Sequence, residues 1–175
     1  MIVPETELET RIVGDHEWQE GATWGAPRPS HPEGEVSFHI EEVLWNVEDE
    51  SVDATDRERL RLVALTHDTF KHRVDRNQPP TGENHHAVIA RRFAERFVDD
   101  PELLDVIELH DEAFNSWVKS ERGGKWDAAE ARAMRLLDRL GNSRDFYIRC
   151  YRADNRTGSK DQAPLEWFEH LSSGV

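Results

Sequence analysis

Residues 55–71 read TDRERLRLVALTHDTFK. Within them Leu60, Val63 and Ala64 recur at helical spacing, and His67 follows them by 7, 4 and 3 positions. Side chains spaced in this way share one face of an α-helix. The pattern predicts a helix over 55–71, opened by Thr55-Asp-Arg-Glu58 as a capping box. His67 then stands on the apolar face with Asp68 beside it. Burying such groups is costly unless they meet hydrogen bonds, a counter-charge or a metal.

The same periodicity extends outward from this stretch. It predicts a helix over 37–49 with Ile40, Val43, Leu44 and Val47 inward, and one over 84–97 carrying Ile89, Ala90, Phe93, Ala94 and Phe97. Asp100-Pro101 opens another, with Leu103, Val106, Ile107, Phe114 and Trp117 on its stripe. Gly123-Gly124 breaks the chain before a helix over 127–140, which stops at Gly141. A helix after Ser143 carries Tyr147, Cys150 and Tyr151, and a short one spans about 164–171. Strand alternation, heptads and repeats are absent. The expected fold is all-α, a single-domain helical bundle over 37–175. Residues 1–36 hold few periodic segments, with three Gly and three Pro between 21 and 34. They read as a loop-rich N-terminal arm that Trp18 and Trp24 pack onto the domain. The polar loop 72–83, HRVDRNQPPTGE, has a length that often marks function.

Placed on these helices, the ligand-type residues share one orientation. His39 lies one turn before Val43, and His86 precedes Ile89, Ala90 and Phe93 on their face. His110 follows Ile107, Val106 and Leu103, and Asp154 follows Tyr151, Cys150 and Tyr147, each by 3, 4 and 7. Any one inward histidine is more often a hydrogen-bonded core residue than a ligand. Four imidazoles and two carboxylates aimed at one core are harder to satisfy without a metal. Such a set suits one or two divalent ions, Mn, Fe, Co, Ni or Zn, with Mg as a further candidate. His72 and His85 read as loop histidines, His16 and His170 as surface groups.

The 175 residues carry a net charge of −14 and one cysteine. That charge disfavours nucleic acid and anionic membrane as partners. The lone Cys150 excludes an internal disulfide. No apolar run approaches membrane length, and the acidic start MIVPETELETRIVGD is unlike a signal peptide. A cytoplasmic protein is expected. Exposed aromatics such as Trp45 and Trp126 offer a homodimer contact.

With His67-Asp68-Thr-Phe-Lys71 and the ordered set His39, His67-Asp68, Asp154, the sequence resembles the HD-domain superfamily of metal-dependent phosphohydrolases. The segment from His31 to His39 looks like the entry to the family's first helix, and residues 151–168 like its closing helix and loop. The resemblance covers about residues 28–168. His86 and His110 match the extra pair of two-metal branches, with His85 standing beside His86 as the alternative. The six-ligand order H…HD…H…H…D occurs in dinuclear phosphodiesterases of the HD-GYP type and in mixed-valence di-iron oxygenases such as myo-inositol oxygenase. The GYP signature itself is absent. The resemblance implies hydrolysis of a nucleotide or other small phosphorylated metabolite by metal-activated water. Asp68 would bridge two ions, and Lys71 would meet the substrate's charge. Arg28, His31 and Lys160 are further candidates for substrate contact, and Arg73 a weaker one. The alternatives are an HD-type di-iron oxygenase and a non-catalytic ligand-sensing HD domain.

Overall fold

The computed structural model describes residues 2–27, 32 and 34–174. Helices α1 (Glu7–Val13) and α2 (His16–Ala22) precede α3 (Val36–Glu50) and α4 (Ala54–Thr66). Then come α5 (His86–Ala94), α6 (Pro101–Leu109), α7 (Glu112–Gly123), α8 (Trp126–Leu140), α9 (Arg144–Asn155) and α10 (Ala163–Ser173). Among the described residues the one β-like feature is an isolated bridge between Gly25 and Glu35. No helix among them is long and apolar enough to cross a membrane. The fold is all-α.

Helices α3, α4 and α9 pack against one another, and α5 and α6 form a second pair that touches α4. Helices α7 and α8 make a hairpin on which α10 closes, also reaching α9. The apolar stripes meet at the centre, where Ile40, Val47, Leu60, Val106, Ile107 and Tyr147 are buried. Each fully buried aliphatic side chain contributes about 1.5–3 kcal/mol relative to exposure.

Four local features differ from the sequence reading. The first 36 residues include two short helices, α1 capped by Thr6 and α2 by Asp15. They dock through buried polar contacts. Trp18 Nε1 donates to the Leu65 carbonyl at 2.7 Å, and Arg61 makes a two-pronged pair with Glu9 at 2.7 and 2.8 Å.

Helix α4 starts earlier than the Thr55 box. Asp53 accepts from the Asp56 amide at 2.8 Å while Asp56 accepts from the Val52 amide at 3.2 Å. It also ends at Thr66 rather than 71, because side chains take its last carbonyls. Thr66 Oγ1 donates to Leu62 O, and Thr69 Oγ1 shares Leu65 O with Trp18. The Thr69 and Trp18 bonds to Leu65 O stand where the next helical amide would, while the Thr66 hydroxyl adds a second donor to a carbonyl inside the helix.

The helix expected to run from Pro101 past Trp117 breaks after Leu109. The buried Tyr147 hydroxyl meets the groups the break releases. It lies 3.0 Å from Leu109 O and 3.1 Å from His110 O as donor, and accepts from the Ala113 amide at 3.2 Å. The break rotates α7, so Phe114, expected in the core, is 45% exposed. Finally, α5 begins at His86 rather than 84, because His85 is extended and caps it, Nδ1 accepting from the Ala87 amide at 3.3 Å.

Candidate metal centre

The end of α4 projects His67 and Asp68 into the junction of the two helix groups. His67 Nδ1 lies 3.1 Å from both Val63 O and Ala64 O. Carbonyls only accept, so Nδ1 carries a proton and Nε2 is the nitrogen turned toward the centre. On α3, His39 Nε2 stands 3.3 Å from His67 Nε2 and 3.0 Å from Asp154 Oδ1. Asp68 Oδ2 is 3.4 Å from His39 Nε2 and 3.7 Å from His67 Nε2, and Asp154 Oδ1 is 3.5 Å from His67 Nε2.

These four donor atoms suit one ion. Around an ion with bonds of about 2.0–2.2 Å, adjacent ligand atoms lie about 2.8–3.6 Å apart. Hydrogen bonding alone serves the arrangement poorly. Lys71 and Lys160 donate to the Asp68 and Asp154 oxygens, but His39 Nε2 and His67 Nε2 still face each other at 3.3 Å with at most one proton between two neutral rings.

The other oxygen of Asp68 faces a second set. Asp68 Oδ1 is 3.3 Å from His110 Nε2 and 3.5 Å from His86 Nε2, and the two imidazole nitrogens are 3.2 Å apart. His110 is oriented as His67 is, with Nδ1 2.9 Å from Ile107 O. Fixing the ring through its far nitrogen is how proteins aim imidazole ligands. A third grouping joins His85, His86 and Asp111.

The electrostatics agree with a cation site. Burial pushes Asp68 and Asp154 upward, but their neighbours outweigh it and hold both carboxyls well below the usual range. For Asp68 these are Lys71, His67, His110 and His86; for Asp154 they are Lys160, His39 and His67. Burial lowers His39 and His86, which favours neutral imidazole. His110 moves the other way: burial pushes it down, but Asp68 and Asp111 raise it overall. Ionised carboxylate and neutral imidazole are the forms that bind metal.

The six residues of the expected ligand set therefore converge, in two groups that share Asp68. Two lysines stand on the same carboxylates. Lys71 Nζ pairs with Asp68 Oδ2. Lys160 Nζ lies 2.7 Å from Asp154 Oδ1. Both lysines line a cavity of about 400 Å³ together with Phe114, Trp117 and Arg122 of α7. Arg73 instead pairs with Glu17 on the surface. Arg28 and His31 lie outside the described residues.

An HD domain family model matches residues 35–143. The chain belongs to the HD-domain family. In this HD domain His39, His67, Asp68, His86 and His110 fall inside the matched segment, and Asp154 on α9 falls beyond it. Its His and Asp clusters fit a divalent metal site. Comparison of this HD-domain protein with curated proteins and with solved structures returned no match. Asp111 is the residue at the centre that the sequence reading missed. Its signal was adjacency to His110, hidden by the expectation of an unbroken helix.

Proposed function

We propose that the protein is a metal-dependent phosphohydrolase acting on a nucleotide or another small phosphorylated metabolite. One observation carries the reading. Asp68 turns each carboxylate oxygen to a different histidine group, beside a cavity that two lysines enter. His39, His67, Asp68 and Asp154 would hold one ion, and Asp68, His86 and His110 a second. Bound there, divalent ions supply Lewis acidity toward a phosphoryl oxygen and a water of lowered pKa.

The chain's own residues supply the rest. Lys71 and Lys160, with Arg122, bring positive charge to a cavity that also holds several carboxylates, which an anionic ester requires in a protein of net charge −14. With an ion neutralising Asp68 and Asp154, the same ammonium groups are available to phosphate oxygens. Asp68 keeps the two histidine groups in register. The partner proposed is a small phosphorylated substrate, without nucleic acid or membrane.

A phosphatase screen over nucleoside monophosphates, sugar phosphates and p-nitrophenyl phosphate tests the proposal, with Mn, Co, Ni, Mg or Fe added to metal-free protein. Release of phosphate that depends on metal, and falls at least about tenfold in Lys71→Ala at unchanged metal content, is expected. Substrate-dependent oxygen uptake by the iron-loaded protein without phosphate release would favour the oxygenase instead.

A further inference from the structure

We infer that Asp111 is a fourth protein ligand of the second metal site, and that His85 positions it. The inference rests on the two-ion reading above.

Asp111 occupies the N-cap of α7, where an aspartate ordinarily accepts from the second or third helical amide. Here its side chain makes no capping hydrogen bond. It turns toward the histidines of α5, with Oδ2 3.8 Å from His86 Nε2 and 3.6 Å from His85 Nε2. His86 Nε2 joins two clusters, Asp68–His86–His110 and His85–His86–Asp111, so Asp111 reaches the ion of the first by a turn of its carboxylate past His86. Around that nitrogen stand His110 Nε2 at 3.2 Å, Asp68 Oδ1 at 3.5 Å and Asp111 Oδ2.

The two adjacent histidines are separated by their protons. His85 Nδ1 accepts from the Ala87 amide, so the hydrogen of this ring sits on Nε2. That nitrogen points its N–H toward Asp111 Oδ2 at 3.6 Å, an electrostatic contact, and offers no lone pair to an ion. His86 Nε2 faces the carboxylates and imidazole of the second group, in the place of a ligand. The stacked rings, with centroids 4.6 Å apart, thus divide the work. His86 faces the ion site, and His85 braces the carboxylate that completes it. A bracing partner of this kind is what metal-bound carboxylates usually have.

Charge supports the assignment. Asp111 lines the cavity that Lys71 and Lys160 enter. An ionised carboxylate there repels a phosphate unless a cation neutralises it. With Asp111 included, each site has two imidazoles and two carboxylates, Asp68 being common to both.

The test is titration of metal-free protein with Co²⁺ alone, read by calorimetric stoichiometry and by the visible absorption of the bound ion. Wild type is expected to take two ions. Asp111→Asn, close in size, should keep the first at wild-type affinity and weaken the second by at least about tenfold. Asp111→Glu should restore part of the loss, which separates ligation from a folding defect. His85→Ala should weaken the second ion less than Asp111→Asn does. Two ions bound by Asp111→Asn at wild-type affinity would overturn this inference and leave the dinuclear reading standing. Loss of the second ion in His85→Ala but not in Asp111→Asn would overturn it in favour of His85. A wild type that saturates at one ion would overturn both readings together.

Discussion

Asp68 is 4% exposed, yet both of its oxygens face polar partners. Oδ2 belongs with His39 and His67, Oδ1 with His86 and His110. Asp68→Asn keeps the shape and removes the charge that both groups share. It should therefore weaken both ions, each by at least about tenfold, whereas His86→Ala should weaken only one. Metal analysis after dialysis distinguishes the two patterns, and retention of one ion at full affinity in Asp68→Asn contradicts a shared carboxylate. His39, His67, His86, His110 and Asp154 were legible because each sits at a definite phase of a long apolar stripe, and phase fixes direction. Lys160 and Asp111 carry no such phase. One lies in the loop after α9, where the resemblance already made it a candidate contact, and the other at a helix break, where only the folded chain brings it to the centre.

At the scale of elements, the bundle helices from α3 to α10 follow apolar periodicity, which is why their positions could be read from sequence. Their ends could not, because distant groups set them. Trp18 and Thr69 finish α4, and Tyr147 separates α6 from α7. Helix α2 was missed for a related reason: it is short and mostly polar, and its stability comes from docking. That docking is close. A Cβ on Gly21 would lie 1.9 Å from the Thr69 carbonyl oxygen, one residue from Asp68. Backbone cannot yield as a flexible side-chain tip does, so Gly21→Ala must displace α2 or the turn after His67. The expected cost is about 1–3 kcal/mol, or about 2–4 °C of melting temperature for each kcal/mol. Metal affinity should fall with it, because the turn carries Asp68. Gly123→Ala is the control, since a Cβ there meets nothing nearer than Lys125 Cγ at 4.0 Å. Equal melting temperatures for the two variants would mean that α2 does not brace the centre.

For the whole molecule, two kinds of negative charge must be distinguished. The net charge of −14 is carried mainly by exposed acids, whose mutual repulsion salt screens over about 10 Å at 0.1 M. Asp68 is buried and Asp154 is 25% exposed, so their interactions are screened much less. An ion held at the centre stabilises the folded state by mass action, about 2.7 kcal/mol when it is present at 100 times its dissociation constant. These effects have separable signatures in thermal melts with saturating Mn²⁺ or with EDTA. Raising KCl to about 0.5 M should raise the melting temperature of both forms, because it relieves surface repulsion common to both. The gap between metal-loaded and metal-free protein should persist, because buried ligands rather than diffuse surface charge hold the ion. A gap that closes as salt rises would instead place the bound ions in the acidic surface atmosphere, and the converging histidines would then be hydrogen-bonded core residues.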